Sequence, residues 1–385
     1  MKVQYSYLQE QFSPEPPKMR VPYVDLPKGT LAEEILLSLR EALKVCAFTL
    51  GPEVAEFEEK MAGLCGTRFA IGVNSGTDAL FLSLKALGVG PGDEVITVPN
   101  TFVATVGAIV AAGGRPAFVD VADDYNMDPA KLEGAITPRT RAVIPVHLTG
   151  NPADMPRILA IAQRHNLWVI EDAAQAIGAS IDGKPAGSFG ITGCFSLHPL
   201  KNLNVWGDGG FITTSDPDLD RRLRLLRNHG LADRDHVEAF GYNSRLDTVQ
   251  AIVALGLLPH LSAITEARAR NARFYDEALR ELGEYIRIPP RKPHVKQVFH
   301  TYVVQAQGRD RLHQFLNSNG VEAKVHYPLP LHLQKAAASL GYKRVDLPVG
   351  EAQAQSILTL PVHQHLTQDQ LDYVVASVRR FYKGR

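Results

Sequence analysis

What most constrains the fold of this chain is an alternation that starts near residue 69 and lasts to about residue 171. Short apolar runs rich in β-branched residues, at 69–73, 94–98, 115–119, 142–146 and 168–171, are separated by stretches with helical periodicity at 77–87, 103–112, 129–136 and 153–165. Parallel strands need long crossover connections, and helices supply them. The pattern therefore predicts an α/β fold, a mostly parallel sheet flanked by helices on both faces. Ligands of such sheets bind at the carboxyl ends of the strands. The alternation by itself also permits a nicotinamide-binding doubly wound enzyme. No GxGxxG follows the first strand, however, and no acid stands at the matching distance.

The rhythm differs on either side of this block. Upstream, Leu31, Ile35, Leu39 and Leu43, then Val54, Phe57, Met61 and Leu64, recur at helical spacing. Past residue 215, helices are expected at 216–228, 248–258 and 264–282. A smaller α+β unit follows, with strands at 299–305 and 321–325 and helices at 309–318 and 367–382; the Pro-rich stretch 288–293 is a connector. We expect an N-terminal arm (1–27), a large domain (28–260) and a small C-terminal domain (261–385). A chain of 385 residues has room for this division.

Lys+Arg and Asp+Glu both number 41, so the net charge of zero gives no electrostatic reason to expect nucleic acid or an anionic membrane. Apolar stretches such as 102–112 fall short of the ~20 residues that span a bilayer. Residues 1–12 have no apolar signal core, so cytoplasmic residence is expected. Cys46, Cys65 and Cys194 show no CxxC spacing and are expected as buried free thiols.

Four features fall at strand ends or loops of the large domain. Asn74-Ser75-Gly76-Thr77-Asp78 follows a strand and opens a helix; free amides at a helix N-terminus attract an anion, and Gly76 lets a phosphate come close, although an ordinary N-cap would look the same. The strand 168–171 runs into Asp172, whose carboxylate could hold a cationic ring nitrogen or simply cap the next helix. In Ser196-Leu197-His198-Pro199-Leu200-Lys201 a lysine sits between apolar residues. A shielded lysine loses its proton more easily and attacks aldehydes, whereas a surface loop lysine does not. Gly207-Asp208-Gly209-Gly210 reads as a tight turn into a strand. A phosphate anchor, a carboxylate for a ring nitrogen and an imine-forming lysine are together what pyridoxal 5′-phosphate (PLP) requires.

At these residues the sequence resembles the DegT/DnrJ-type family of sugar aminotransferases, which has the aspartate-aminotransferase-like fold (PLP fold type I). The resemblance runs from about Thr49 to the C-terminus. It is carried by residues 75–80, 92–95, 171–175, 196–203, 227–230, 243–247 and 326–328. It implies that Lys201 holds PLP as a Schiff base, that Asp172 pairs with the pyridinium nitrogen and that Gln175 bonds the ring hydroxyl. It further implies that Gly76, Thr77 and Ser196 bind the phosphate, that Phe102 stacks on the ring and that Asn243 reaches the phosphate of the partner subunit in a homodimer with a shared active site. His326, Tyr327 and His332 would lie near a keto-sugar. An amino-acid donor, glutamate, would leave the pyridoxamine 5′-phosphate form, which then aminates the sugar. The run His198-Pro199-Leu200-Lys201 departs from the Tyr-Pro or Pro-Thr runs common in the family before the lysine, and the stretch 196–210 with 228–231 is most similar to a branch that includes the enzyme aminating C8 of an octulosonate sugar.

Two other functions share the fold. PLP-dependent sugar dehydratases resemble this chain but carry His where Lys201 stands, and a regulator without chemistry would be expected to lose Lys201 or Asp172. Other residues fit plainer expectations: His147 as a core histidine, His229 as a companion of a helix C-terminus, and Arg221, Arg222, Arg224 and Arg227 as a solvated helix face.

Overall fold

In the computed structural model, which describes residues 19–25 and 30–384, each of the five early apolar runs becomes a strand: β1 (Phe69–Val73), β2 (Glu94–Thr97), β3 (Arg115–Phe118), β4 (Thr140–Val143) and β5 (Trp168–Asp172). A small hairpin follows, β6 (Ser180–Ile181) and β7 (Lys184–Pro185), and then β8 (Thr192–Ser196) and β9 (Gly210–Thr214). The central sheet has the order β1-β9-β8-β5-β4-β2-β3. Only β9 opposes its neighbours. Because β9 runs backward, its first residues, not its last, lie beside the carboxyl ends of β1 and β8. Gly210 there pairs with both Val73 and Ser196.

The strands are apolar throughout because both faces are covered. Ile71, Ile170, Cys194 and Ile212 pack under the helices Gly76–Ala86, Val103–Ala112 and Pro217–Arg227. Phe195 and Phe211 face the helices Pro52–Cys65 and Thr248–Leu257, stacked at 4.4 Å between ring centroids. The run from Thr248 to Ala278 is long and apolar enough by composition to cross a membrane. It is broken at Leu258–His260 into two helices, and Val253, Leu257, Ala272 and Tyr275 are buried in the protein core.

The C-terminal part forms a sheet of β10 (Ile286–Arg287), β12 (Tyr302–Ala306) and β13 (Ile357–Leu360) around its own apolar cluster. The connector at 288–293 leads to β11 (Val295–Lys296), which pairs with β6 of the large unit. The helix Leu261–Ala278 serves both units: Leu261 lies in the large core, Ala272 and Tyr275 in the smaller one.

Several expectations are corrected. Residues 321–325 make no strand; they carry single bridges, Val321 to Val21 and Lys324 to Thr359, and isolated pairings do not build a ladder. β12 starts three residues later than expected because Phe299, at φ 48°, turns the backbone out of the extended region. The arginine run is a solvated face only in part: Arg221 and Arg222 are exposed. Arg227 and Arg224 turn inward onto the buried Glu58, and Arg227 also donates to the Gly72 carbonyl at 2.9 Å, clamping the helix to β1. Cys65 and Cys194 are buried free thiols, but Cys46 is exposed. Most of the N-terminal arm lies outside the described residues. Its portion 19–25 docks on the C-terminal unit, where the Val21 amide donates to Gly320 O and its carbonyl accepts from the Glu322 amide.

Candidate active site

The carboxyl ends of β1, β2, β5 and β8 converge, and each delivers a group to one cleft. β1 ends in Ser75, whose hydroxyl accepts from the Asp78 amide at 3.1 Å and caps the helix Gly76–Ala86. The cap leaves the Gly76 and Thr77 amides without acceptors among the described residues, the anion-attracting end that the sequence predicts. A Cβ on Gly76 would lie 2.7 Å from Cβ of Ser196, at the end of β8. A Cβ on Gly210 would strike Gly76 N at 2.7 Å. Two glycines thus let the helix start, the Ser196 hydroxyl and the 207–210 turn close into one small cup.

Lys201 sits on the loop 197–209, pinned at its base by the Leu197 amide donating to Gly209 O and the Val205 amide to Leu197 O, both at 2.8 Å. A turn from the Lys201 amide to His198 O aims the side chain. The residue keeps intermediate exposure, as a cleft-lining lysine does. Its amine, however, lacks a hydrogen-bond or ion-pair partner among the described residues. Burial lowers its pKa to about 8, although the charge of Asp172 pulls the other way.

Asp172, at the tip of β5, is 5% exposed. Its carboxylate accepts from the Thr105 hydroxyl at 2.7 Å and the Ala174 amide at 3.2 Å, so it does not merely cap a helix. Burial pushes its pKa up, against the Thr105 and Ala174 hydrogen bonds and the charge of Lys201. Each of the two groups is therefore held away from its charged form by desolvation.

Of the other predicted residues, His326 and Tyr327 lie near this pair. Gln175 accepts the Thr149 amide at 2.7 Å through its side-chain oxygen, leaving its NH₂ group for another acceptor. Phe102, 54% exposed, precedes the helix Val103–Ala112, its ring centroid 6.0 Å from that of Tyr327. His326 bonds Thr359 Oγ1 through Nδ1 at 2.9 Å, and burial lowers its pKa to about 4, helped by the charge of Lys201. Burial also raises the Tyr327 pKa, and Asp172 adds to this. Asn243 is exposed on the segment after the helix Pro217–Arg227. His332 does not join the group: it is 2% exposed, with Nε2 3.2 Å from Glu351 Oε1 and Phe118 and Tyr342 packed on its ring. His147 is the expected core histidine. The Ala153 amide donates to its Nδ1 at 3.1 Å, so the ring proton is on Nε2 and points at Glu171, 2.9 Å away.

The sequence reading missed His300, His198 as a site group, Arg268 and Tyr23. Burial holds His300 well below the usual histidine pKa, and the charges of Lys201 and Arg268 add to this. His198 is lowered by burial and by Lys201. Only His198 carried a local signal, its place in the lysine run.

The donor set and the glycine cup suit PLP: an uncommitted, partly deprotonated amine, a buried carboxylate facing it, and free amides with a hydroxyl for a phosphate. Comparison with known proteins agrees. The profile of the DegT/DnrJ/EryC1/StrS aminotransferase family matches residues 30–379. The UDP-N-acetyl-3-dehydro-alpha-D-glucosamine 3-aminotransferase of Acidithiobacillus ferrooxidans is 44% identical, over 94% of this chain and 98% of that protein. A pleiotropic regulatory protein of Geobacillus stearothermophilus is also 44% identical, over 95% and 99%. The structure of S. venezuelae DesV in complex with a ketimine intermediate superposes with a TM-score of 0.91 at 41% identity, covering 94% of this chain and 98% of that one.

Proposed function

This chain belongs to the DegT/DnrJ/EryC1/StrS aminotransferase family, it is a PLP-dependent sugar aminotransferase, and we propose that it aminates the keto carbon of a nucleotide-linked sugar, with glutamate as donor. The UDP-sugar aminotransferase at 44% identity favours a nucleotide-linked 3-keto sugar over the octulosonate branch. The observation that carries the reading is the desolvated pair: Lys201 is pushed toward a neutral amine and Asp172 toward a neutral acid in one cleft. An aldehyde relieves the first and a cationic ring nitrogen the second.

Bound PLP supplies that aldehyde and an electron-accepting pyridine ring. Lys201 would hold that aldehyde, and its free amine would move the proton lost by the donor's α-carbon. The Asp172 carboxylate holds the proton on the ring nitrogen. Gln175 orients the ring through its hydroxyl, Phe102 covers a ring face, and Gly76, Thr77 and Ser196 take the phosphate. His326 and His300 stay neutral at pH 7, so they add no cation beside Lys201 and remain free to bond sugar hydroxyls. His332 acts only indirectly, by fixing the segment after Tyr327 through Glu351. The same-fold dehydratases and a non-catalytic regulator both fit poorly with an intact Lys201 and Asp172.

We propose that the working form is a cytoplasmic homodimer in which Asn243 serves the partner's phosphate site, with 28–260 as the cofactor-holding unit and 261–385 as its cover. Leu37, Val45 and Phe240 are 58%, 72% and 97% exposed here, and a partner surface would cover them. The test is borohydride reduction of the PLP-loaded protein followed by peptide mass analysis, with amino transfer from glutamate to UDP-N-acetyl-3-dehydro-α-D-glucosamine measured in parallel. Label on the Lys201 peptide and product formation are expected; label elsewhere, or none, overturns the assignment.

A further inference from the structure

Four polar tips around the cleft are uncommitted. Lys201 Nζ, the Tyr327 hydroxyl, His326 Nε2 and the Tyr23 hydroxyl have no hydrogen-bond partner among the described residues. Three belong to the site already described. The fourth comes from the N-terminal arm, 299 residues away in sequence from its nearest anchor.

The arm reaches the cleft through specific pairing. Val21 is fully buried against the C-terminal core and makes two backbone hydrogen bonds across Gly320 and Glu322. Arg20 lies over the Tyr373 ring at 3.6 Å, and its carbonyl accepts from Gln370 at 3.0 Å. Past the bridge at Val21 the backbone bends at Tyr23. Its amide donates to Glu322 Oε2 at 2.8 Å, and its ring centroid lies 5.6 Å from that of His326. The same imidazole is edge-on to Tyr327 at 5.5 Å. Tyr23 and Tyr327 thus both pack on His326. Burial keeps the Tyr23 phenol protonated, so its hydroxyl can both donate and accept.

A core tyrosine normally bonds its hydroxyl to the protein. Tyr275 does so with the Pro361 carbonyl at 3.0 Å, and Tyr302 with Asp276 at 2.8 Å. Tyr23 has been brought across the molecule, and among the described residues its hydroxyl has no partner, beside a histidine held neutral.

We propose that Tyr23 is a specificity-determining residue of the sugar site, its hydroxyl bonding a hydroxyl or ring substituent of the keto-sugar alongside His326 and Tyr327, so that docking of the arm completes the pocket. This rests on the sugar-aminotransferase reading above.

Tyr23→Phe keeps the ring on His326 and deletes only the hydroxyl. With UDP-N-acetyl-3-dehydro-α-D-glucosamine and glutamate, KM for the sugar should rise about tenfold while kcat falls less than about twofold, as for one lost hydrogen bond to a neutral ligand. The dissociation constant of the sugar nucleotide for the borohydride-reduced holoenzyme, measured by calorimetry, should rise by the same factor. Val21→Asp should undock the arm and raise KM at least as much, and adding Tyr23→Phe to it should change nothing further. Unchanged KM and affinity in Tyr23→Phe, with wild type active, overturn the proposal. So does a fall in kcat with KM constant, which would mark a structural effect. An inactive wild type would instead count against the function itself.

Discussion

Glu171 and Asp172 are neighbours at the tip of β5, both buried, and they are treated in opposite ways. Glu171, on the side away from the cleft, is saturated: its oxygens accept from the amides of Gly187, Phe189 and Gly190 at 2.6–2.7 Å and from His147 at 2.9 Å. Asp172, one residue on and facing the cleft, has a hydroxyl and one amide, and its strongest electrical neighbour is a lysine that does not touch it. A buried carboxylate with every lone pair used is a structural clamp; one left under-satisfied, opposite an amine without a partner among the described residues, is kept for something that arrives later. Burial alone does not separate the two roles, because both residues are buried. Saturation does.

The contrast can be broken by exchanging what is lost. Lys201→Ala should cut amino transfer by about 10⁴-fold, the upper end for a positioned base, while leaving the fold intact; steady-state kinetics and a thermal melt check both halves. Asp172→Asn should cost about 10²–10³-fold in kcat with little change in melting temperature, since an amide cannot hold the ring-nitrogen proton as a carboxylate does. Glu171→Gln should reverse the pattern. Its NH₂ would confront donor amides, destabilising the fold by about 3 kcal/mol in chemical denaturation, while kcat per folded molecule stays within about twofold. Lost catalysis at full stability in Glu171→Gln would erase the distinction.

The smallest effect is a pH slope. The Lys201 pKa falls from 10.5 to about 8 on folding, so between those values the unfolded chain binds the extra proton. Stability of the cofactor-free protein should therefore rise from about pH 8 to about pH 10.5, by roughly 3 kcal/mol at most. Lys201→Met should flatten that portion of the curve. A parallel slope in both proteins would mean that the amine is not desolvated.

The sequence made one half of this contrast legible. Alternating runs located five strands, and Gly76 and Asp172 followed from where two of those strands end, because local chain order fixes both strand and loop, while Lys201 was read from its own run after residue 196. It could not show Arg227 turned onto Glu58, since a 3.6-residue charge pattern looks the same whether the helix face meets water or a buried acid. Nor could it reveal His300. That side chain reaches Lys201 only because the C-terminal unit folds back and Phe299 adopts a positive φ, neither of which leaves a periodic trace. His332 matched the expected segment, yet its side chain is taken up by Glu351, a pairing 19 residues away that no spacing rule forecasts.

The bridge between Val21 and Val321 also sets an order of events during synthesis. Tyr23 leaves the ribosome early, but the segment that must receive it is translated some 300 residues later, so at about 5–20 residues per second the arm waits tens of seconds for its dock. A nascent chain can build the β1–β9 sheet and hold Lys201 in place during that interval. The wall that Tyr23 forms with His326 closes only after residue 326 has been translated, so chains released before that point carry the lysine but lack the complete pocket.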